Sequence, residues 1–174
     1  MVGVPRLRLE RPPWRPRDGD RWTPAEDLAG AGRIVADGDA RRVLLTTGRT
    51  DLAAFAPGVD GRRWWLIRSI DPPDRQPLWP AEIVLDRGPY DVRSERRLFE
   101  RAGIDLLVSK NSGGEATVAK LDAARALGIE VVMVARPGSP PGPTATTAEE
   151  AVRWIDGRGD GAQPVTTAGY RRGV

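Results

Sequence analysis

A chain of 174 residues, 40% hydrophobic and 29% charged, has globular composition and length enough for one ordinary domain. It has no cysteine and no histidine, which excludes disulfides, thiolate or imidazole metal sites and any mechanism built on a Cys nucleophile or a His base; no metal site is expected. The 27 Lys plus Arg against 24 Asp plus Glu leave a net charge of +3, too small to demand nucleic acid, and no apolar run approaches the ~20 residues of a bilayer-spanning helix, so neither nucleic acid nor membrane is expected as a partner.

Taken in chain order, Pro5 to Glu10 alternates as a short strand, and Pro12, Pro13, Pro16 and Gly19 then force an extended, turning segment. Thr23, Pro24 and Glu26 form a capping box that predicts a helix through Leu28, Ala31, Ile34 and Val35, ending near Asp37 and Gly38. Val43 to Thr46 reads as a buried strand, Leu52 to Phe55 as a brief helix cut off by Pro57, and Trp64 to Ile70 as another strand. A loop spans Pro72 to Pro80. Ile83 to Leu85 is a strand, and Val92, Glu95, Leu98, Phe99 and Ala102 outline an amphipathic helix closed by Gly103.

Ile104 to Val108 is a further buried strand, after which K110-N-S-G-G-E115 is predicted to turn directly into a helix carrying Ala116, Ala119, Leu121, Ala123, Ala124 and Leu127. Ile129 to Ala135 is a strand, and a capping box of Thr147 and Glu150 opens a last helix through Ile155. Alternating strands and helices predict an α/β fold: a Rossmann-like, mostly parallel sheet with helices on both faces, one domain over residues 1–156, with a disordered tail over 157–174. Met1 leads quickly into a polar segment rather than a secretory leader, so the cytoplasm is the expected location.

Ligands of such sheets bind beyond the carboxyl ends of the strands, which singles out two segments. T46-T-G-R49 offers hydroxyls from Thr46 and Thr47, close backbone approach at Gly48 and the guanidinium of Arg49. Lys110, Asn111, Ser112, Gly113 and Gly114 offer an ammonium, an amide, a hydroxyl and two glycines where a helix is predicted to start, an arrangement suited to an anion. Ser112 can equally cap that helix through Glu115, with the glycines serving a tight turn, although Lys110 and Asn111 are not needed for capping. For Arg49, Arg68 and Arg87 a solvated or salt-bridged arginine is the plainer reading of each; together with Lys110 they gather cations near strand ends. The spacing is not that of a P-loop, and no G-x-G-x-x-G occurs.

The ordered series L7-R-L-E-R-P-P-W14, L44-L-T-T-G-R49, R68-S-I-D-P-P73, D86-R-G-P89, K110-N-S-G-G114, A119-K-L-D-A-A-R-A-L-G128 and V131-V-M-V134 resembles the precorrin-6A reductase family of cobalamin biosynthesis, cobalt-precorrin-6A reductases included. The resemblance implies two Rossmann-like halves with a cleft between them, NADPH as cofactor and the reduction of one double bond of precorrin-6A or cobalt-precorrin-6A to give precorrin-6B. It places Thr46 to Arg49 and Lys110 to Gly114 facing that cleft, where Arg and Lys could clamp the many carboxylates of the substrate. Family members begin with a further half carrying a Gly-Thr-Glu turn and an Asp-Ala-Thr-His-Pro segment. Neither occurs here, so the chain reads as the carboxyl-terminal half, with a separately encoded amino-terminal half as an expected partner. The alternative is a non-catalytic tetrapyrrole- or anion-binding module without the cofactor half. A nucleic-acid-binding domain ranks last, because the arginines are interleaved with acids.

Overall fold

The computed structural model describes residues 4–159, which fall into two compact units. The larger, Pro13–Pro137, is built on a six-stranded sheet: β2 (Trp22–Ala25), β3 (Arg42–Leu45), β4 (Trp64–Ser69), β5 (Ala81–Leu85), β6 (Leu106–Lys110) and β7 (Glu130–Val134). Every pairing is parallel, in the order β2-β7-β6-β3-β4-β5. The smaller unit holds β1 (Arg8–Leu9) paired in parallel with β8 (Thr144–Ala145), and helix α4 (Ala148–Gly159). The expected α/β class, with a parallel sheet and helices on both faces, is the observed one.

Strand side chains alternate between two cores. Val43 and Leu45, Trp65 and Ile67, Leu106 and Val108, and Val132 and Val134 point to one face. Helix α1 (Leu28–Asp37) and a 3-10 helix over Leu52–Gly58 cover that face with Ala31, Val35 and Phe55. Leu44, Leu66, Leu107, Val131 and Met133 point to the other, covered by α2 (Val92–Ala102) and α3 (Ala119–Leu127) through Phe99, Leu121, Ala123 and Ala124. A strand buried on both faces needs apolar residues at every position, which is why these segments are unbroken apolar runs. Each fully buried Leu or Val contributes about 1.5–3 kcal/mol. Helix α1 approaches the 3-10 helix closely: a Cβ on Gly32 would lie 2.0 Å from the Ala54 carbonyl oxygen, so only glycine fits.

Three expectations need correction. Trp22–Ala25 is a strand, not a helix start; it is an edge strand, where Pro24 can forgo its missing N–H, and Asp27 caps α1 by accepting from the Gly30 N–H at 2.6 Å. The segment after β6 does not enter a helix directly: a single 3-10 turn at Glu115–Thr117 intervenes, α3 begins at Ala119, and no side chain caps either. Helix α4 runs to Gly159, past the expected start of the tail at Gly157, and residues 160–174 of that tail lie outside the described residues. The box at its start forms as expected, with the Glu150 N–H donating to Thr147 Oγ1 at 3.1 Å.

Candidate functional site

From β3 the chain moves outward to β4, and from β6 it moves the opposite way to β7, although β3 and β6 are hydrogen-bonded neighbours. The connections leaving their carboxyl ends therefore run apart, and such a switch point is where open parallel sheets form a ligand crevice. The segments Thr46–Arg49 and Lys110–Gly114 both leave from here.

A cleft of about 350 Å³ is lined by Thr46, Thr47, Gly48 and Arg49 after β3, by Arg68 to Asp71 at the end of β4, by Asp86, Gly88 and Tyr90 before α2, by Thr117 in the 3-10 turn and by Lys120 at the start of α3. Five of the sequence-predicted residues are thus brought together: Thr46, Thr47, Gly48, Arg49 and Arg68. Gly48 takes φ +112°, a conformation that side chains disfavour, and leaves the turn bare. Thr46 Oγ1 donates to the Val108 carbonyl at 3.0 Å. Thr47 is 6% exposed, and its hydroxyl has no hydrogen-bond partner among the described residues, although buried hydroxyls are normally paired. Arg49 is exposed and pairs with Asp74 at 3.1 Å, a surface contact that yields readily to a ligand.

Arg68 is held far more firmly. Its guanidinium donates to both carboxylate oxygens of Glu95, the second bond at 3.1 Å, and both side chains are buried. It also stacks 4.1 Å from the centre of the Tyr90 ring. The Tyr90 hydroxyl donates to the Asp86 carbonyl at 3.0 Å, and burial, opposed by the Arg68 charge and reinforced by Asp86 and Glu95, pushes its pKa above the ordinary phenol value.

Lys120, the second residue of α3, is 6% exposed and enters none of the ion pairs found among the described residues. Its ammonium lies 5.7 Å from the centre of the Trp14 ring. Burial, then the neighbouring Arg68 charge, lower its pKa from 10.5 to about 8, with Glu95 acting in the opposite direction.

Arg87 is exposed and does not line the cleft, although Asp86 and Gly88 beside it do. Lys110 to Gly114 also lie outside its lining. Lys110 Nζ is 2.6 Å from Asp51 Oδ2. Asn111 accepts from the Trp14 N–H at 2.7 Å and donates to the Trp14 carbonyl at 3.0 Å, and its own carbonyl accepts from Arg136. The Ser112 N–H donates to the Lys110 carbonyl at 2.9 Å, Gly114 is buried, and Gly113 lines a different hollow beside Trp14 and Trp22. Lys120, Glu95 and Tyr90 were not among the predicted site residues. Signals marked two of the three: an acid at position 95 on the apolar stripe of α2, and a lysine at position 120 on the alanine-rich face of α3, in a chain with one other lysine, Lys110; Tyr90 carried none.

The model of the family described as precorrin-6x reductase CbiJ/CobK matches residues 1–156. The chain belongs to this family. It is 46% identical over 154 residues to a precorrin-6A reductase of Rhodococcus erythropolis, covering 88% of this chain and 61% of that one. It is also 46% identical over 158 residues to the precorrin-6A reductase of Mycobacterium tuberculosis (strain CDC 1551 / Oshkosh), covering 90% and 62%. A solved structure of CobK precorrin-6A reductase superposes with a TM-score of 0.78 at 37% identity, over 87% of this chain and 59% of that one. The chain thus spans about three fifths of the length of the reductases it matches. No helix among the described residues is long and apolar enough to cross a membrane.

Proposed function

We propose that this chain forms part of an NADPH-dependent precorrin-6A reductase that reduces the macrocycle of precorrin-6A, or its cobalt form, to precorrin-6B in cobalamin biosynthesis. The observation that carries this reading is the cleft at the switch point of a family-matched fold, where, among the described residues, the buried Thr47 hydroxyl has no hydrogen-bond partner and Lys120 enters no ion pair. A polycarboxylate macrocycle and a phosphorylated cofactor both present anionic oxygens, and the donors here suit such groups.

The Thr47 hydroxyl, the bare turn at Gly48 and the Arg49 guanidinium fit the polar groups of a nicotinamide nucleotide and would hold it. A reduced nicotinamide supplies a hydride when bound. The chain's own residues bind, orient and handle the proton: Arg49 can exchange its exposed partner Asp74 for a ligand oxygen, while Arg68, fixed by Glu95 and Tyr90, keeps one positive charge at a set position without reorganisation. Lys110 and Asn111 serve the site through the loops they brace, Lys110 by pairing with Asp51 in the segment after β3 and Asn111 by fixing Trp14. The cytoplasm is the compartment this reading assigns.

The test is NADPH oxidation with precorrin-6A by the chain co-expressed with an amino-terminal half, and by the chain alone. Turnover that requires the added half supports the reading. Reconstitution without turnover rejects it and leaves the non-catalytic tetrapyrrole-binding module.

A further inference from the structure

Hydride addition to a conjugated double bond places two electrons on one atom and drives the π pair onto its neighbour, which must take up a proton before the reduction is complete. A reductase cleft therefore needs an acid as well as a cofactor, and the groups lining this one can be compared for that task.

Arg68 is committed, with both of its terminal nitrogens donating to Glu95. Tyr90 gives its hydroxyl hydrogen to the Asp86 carbonyl, and partial burial makes it a weaker acid than free tyrosine. Thr46 donates to Val108, and aliphatic hydroxyls such as those of Thr46, Thr47 and Ser69 are too weakly acidic. Asp71 and Asp86 are exposed acids, which accept rather than donate once ionised. Lys120 remains. It lines the cleft, is shielded from bulk water, and enters no ion pair with a carboxylate among the described residues; the charged groups that act on it are Arg68 from β4 and Glu95 from α2, with the Trp14 ring on another side.

Resting on the reductase reading above, we propose that Lys120 is the proton donor of the reduction. Its ammonium gives one proton to the carbon or nitrogen that receives the displaced π pair; the N–H bond breaks, the new bond to hydrogen forms, and the amine regains a proton from solvent after product leaves. The hydride comes from the reduced nicotinamide, which is oxidised by two electrons as the macrocycle is reduced by two. Burial with no carboxylate partner among the described residues is what prepares the group: an ion-paired ammonium is a reluctant acid, whereas Lys120, with a pKa of about 8, is protonated at neutral pH and still gives the proton up readily.

The chain has only Lys110 and Lys120, so lysine labelled with ¹³C at Cε gives two resonances, assigned by Lys110→Arg. The Lys120 resonance should titrate with a midpoint near pH 8; a midpoint at the ordinary 10.5 overturns the proposal. In the reconstituted enzyme, Lys120→Arg keeps the charge but withholds the proton, and should slow single-turnover NADPH oxidation by about 100-fold or more while precorrin-6A still binds within about threefold, with Lys120→Met equally slow. Turnover by Lys120→Arg at the parent rate overturns the donor role alone. An inactive parent enzyme overturns the reductase reading, and the donor role with it.

Discussion

Two loops leave the same switch point and do different things. The turn after β3 keeps a buried Thr47 hydroxyl without a partner among the described residues, a bare glycine backbone and an arginine on a weak surface pair, and it opens on the cleft. The loop after β6 has the richer set of side chains, yet Lys110 is tied to Asp51 and Asn111 to both backbone groups of Trp14. The two lysines repeat the contrast: among the described residues Lys110 is exposed and ion-paired, whereas Lys120 is buried and enters no ion pair. A polar group becomes available for function when the fold leaves it uncommitted, whatever its residue type.

Substitutions can test this contrast, and the largest effect belongs to the buried ion pair in the cleft. Glu95→Ala leaves the buried Arg68 charge unmatched and should destabilise by about 3–5 kcal/mol in urea denaturation. Lys120→Met should act in the opposite direction. A pKa of about 8 in the folded chain against 10.5 when unfolded means that the unfolded state binds the proton more tightly, so stability rises with pH between those values. At pH 7 the buried charge costs about 3 kcal/mol, and the variant should gain up to that amount. The advantage should shrink between pH 8 and 10.5; a constant advantage would show that Lys120 does not titrate as assigned.

Asn111→Ala should cost about 2 kcal/mol by stranding the Trp14 amide and carbonyl, which an uncommitted side chain would not. Smallest and sharpest is the threonine pair. Thr46→Val loses a hydrogen bond to Val108 and should cost about 1 kcal/mol, whereas Thr47→Val loses none and should change stability by less than about 0.5 kcal/mol, both read from thermal or denaturant midpoints. Equal losses at the two positions would erase the distinction between them.

Much of the fold was legible because strands buried on both faces have to be apolar throughout, and Val43 to Leu45 and Val131 to Val134 announce themselves in that way. Trp22–Ala25 was not, since a four-residue edge strand containing proline shares its sequence with a helix cap. Within the candidate site, Thr46 to Arg49 could be named from their place after a strand. The engagement of Lys110 with Asp51 and of Asn111 with Trp14 could not, because those partners lie 59 and 97 positions away in sequence and only the folded chain brings them together. The burial of Lys120 at the amino end of α3 was hidden for a related reason: only the fold shows it, and the one mark in the sequence was a rare lysine on an alanine-rich helix face.

The lysine spectrum of the chain, recorded while precorrin-6A is added, tests the contrast most directly. If the cleft holds the macrocycle, the Lys120 resonance shifts as the substrate binds and the Lys110 resonance stays within its line width. Movement of the Lys110 resonance with Lys120 unchanged would place the ligand at the other loop and contradict the account.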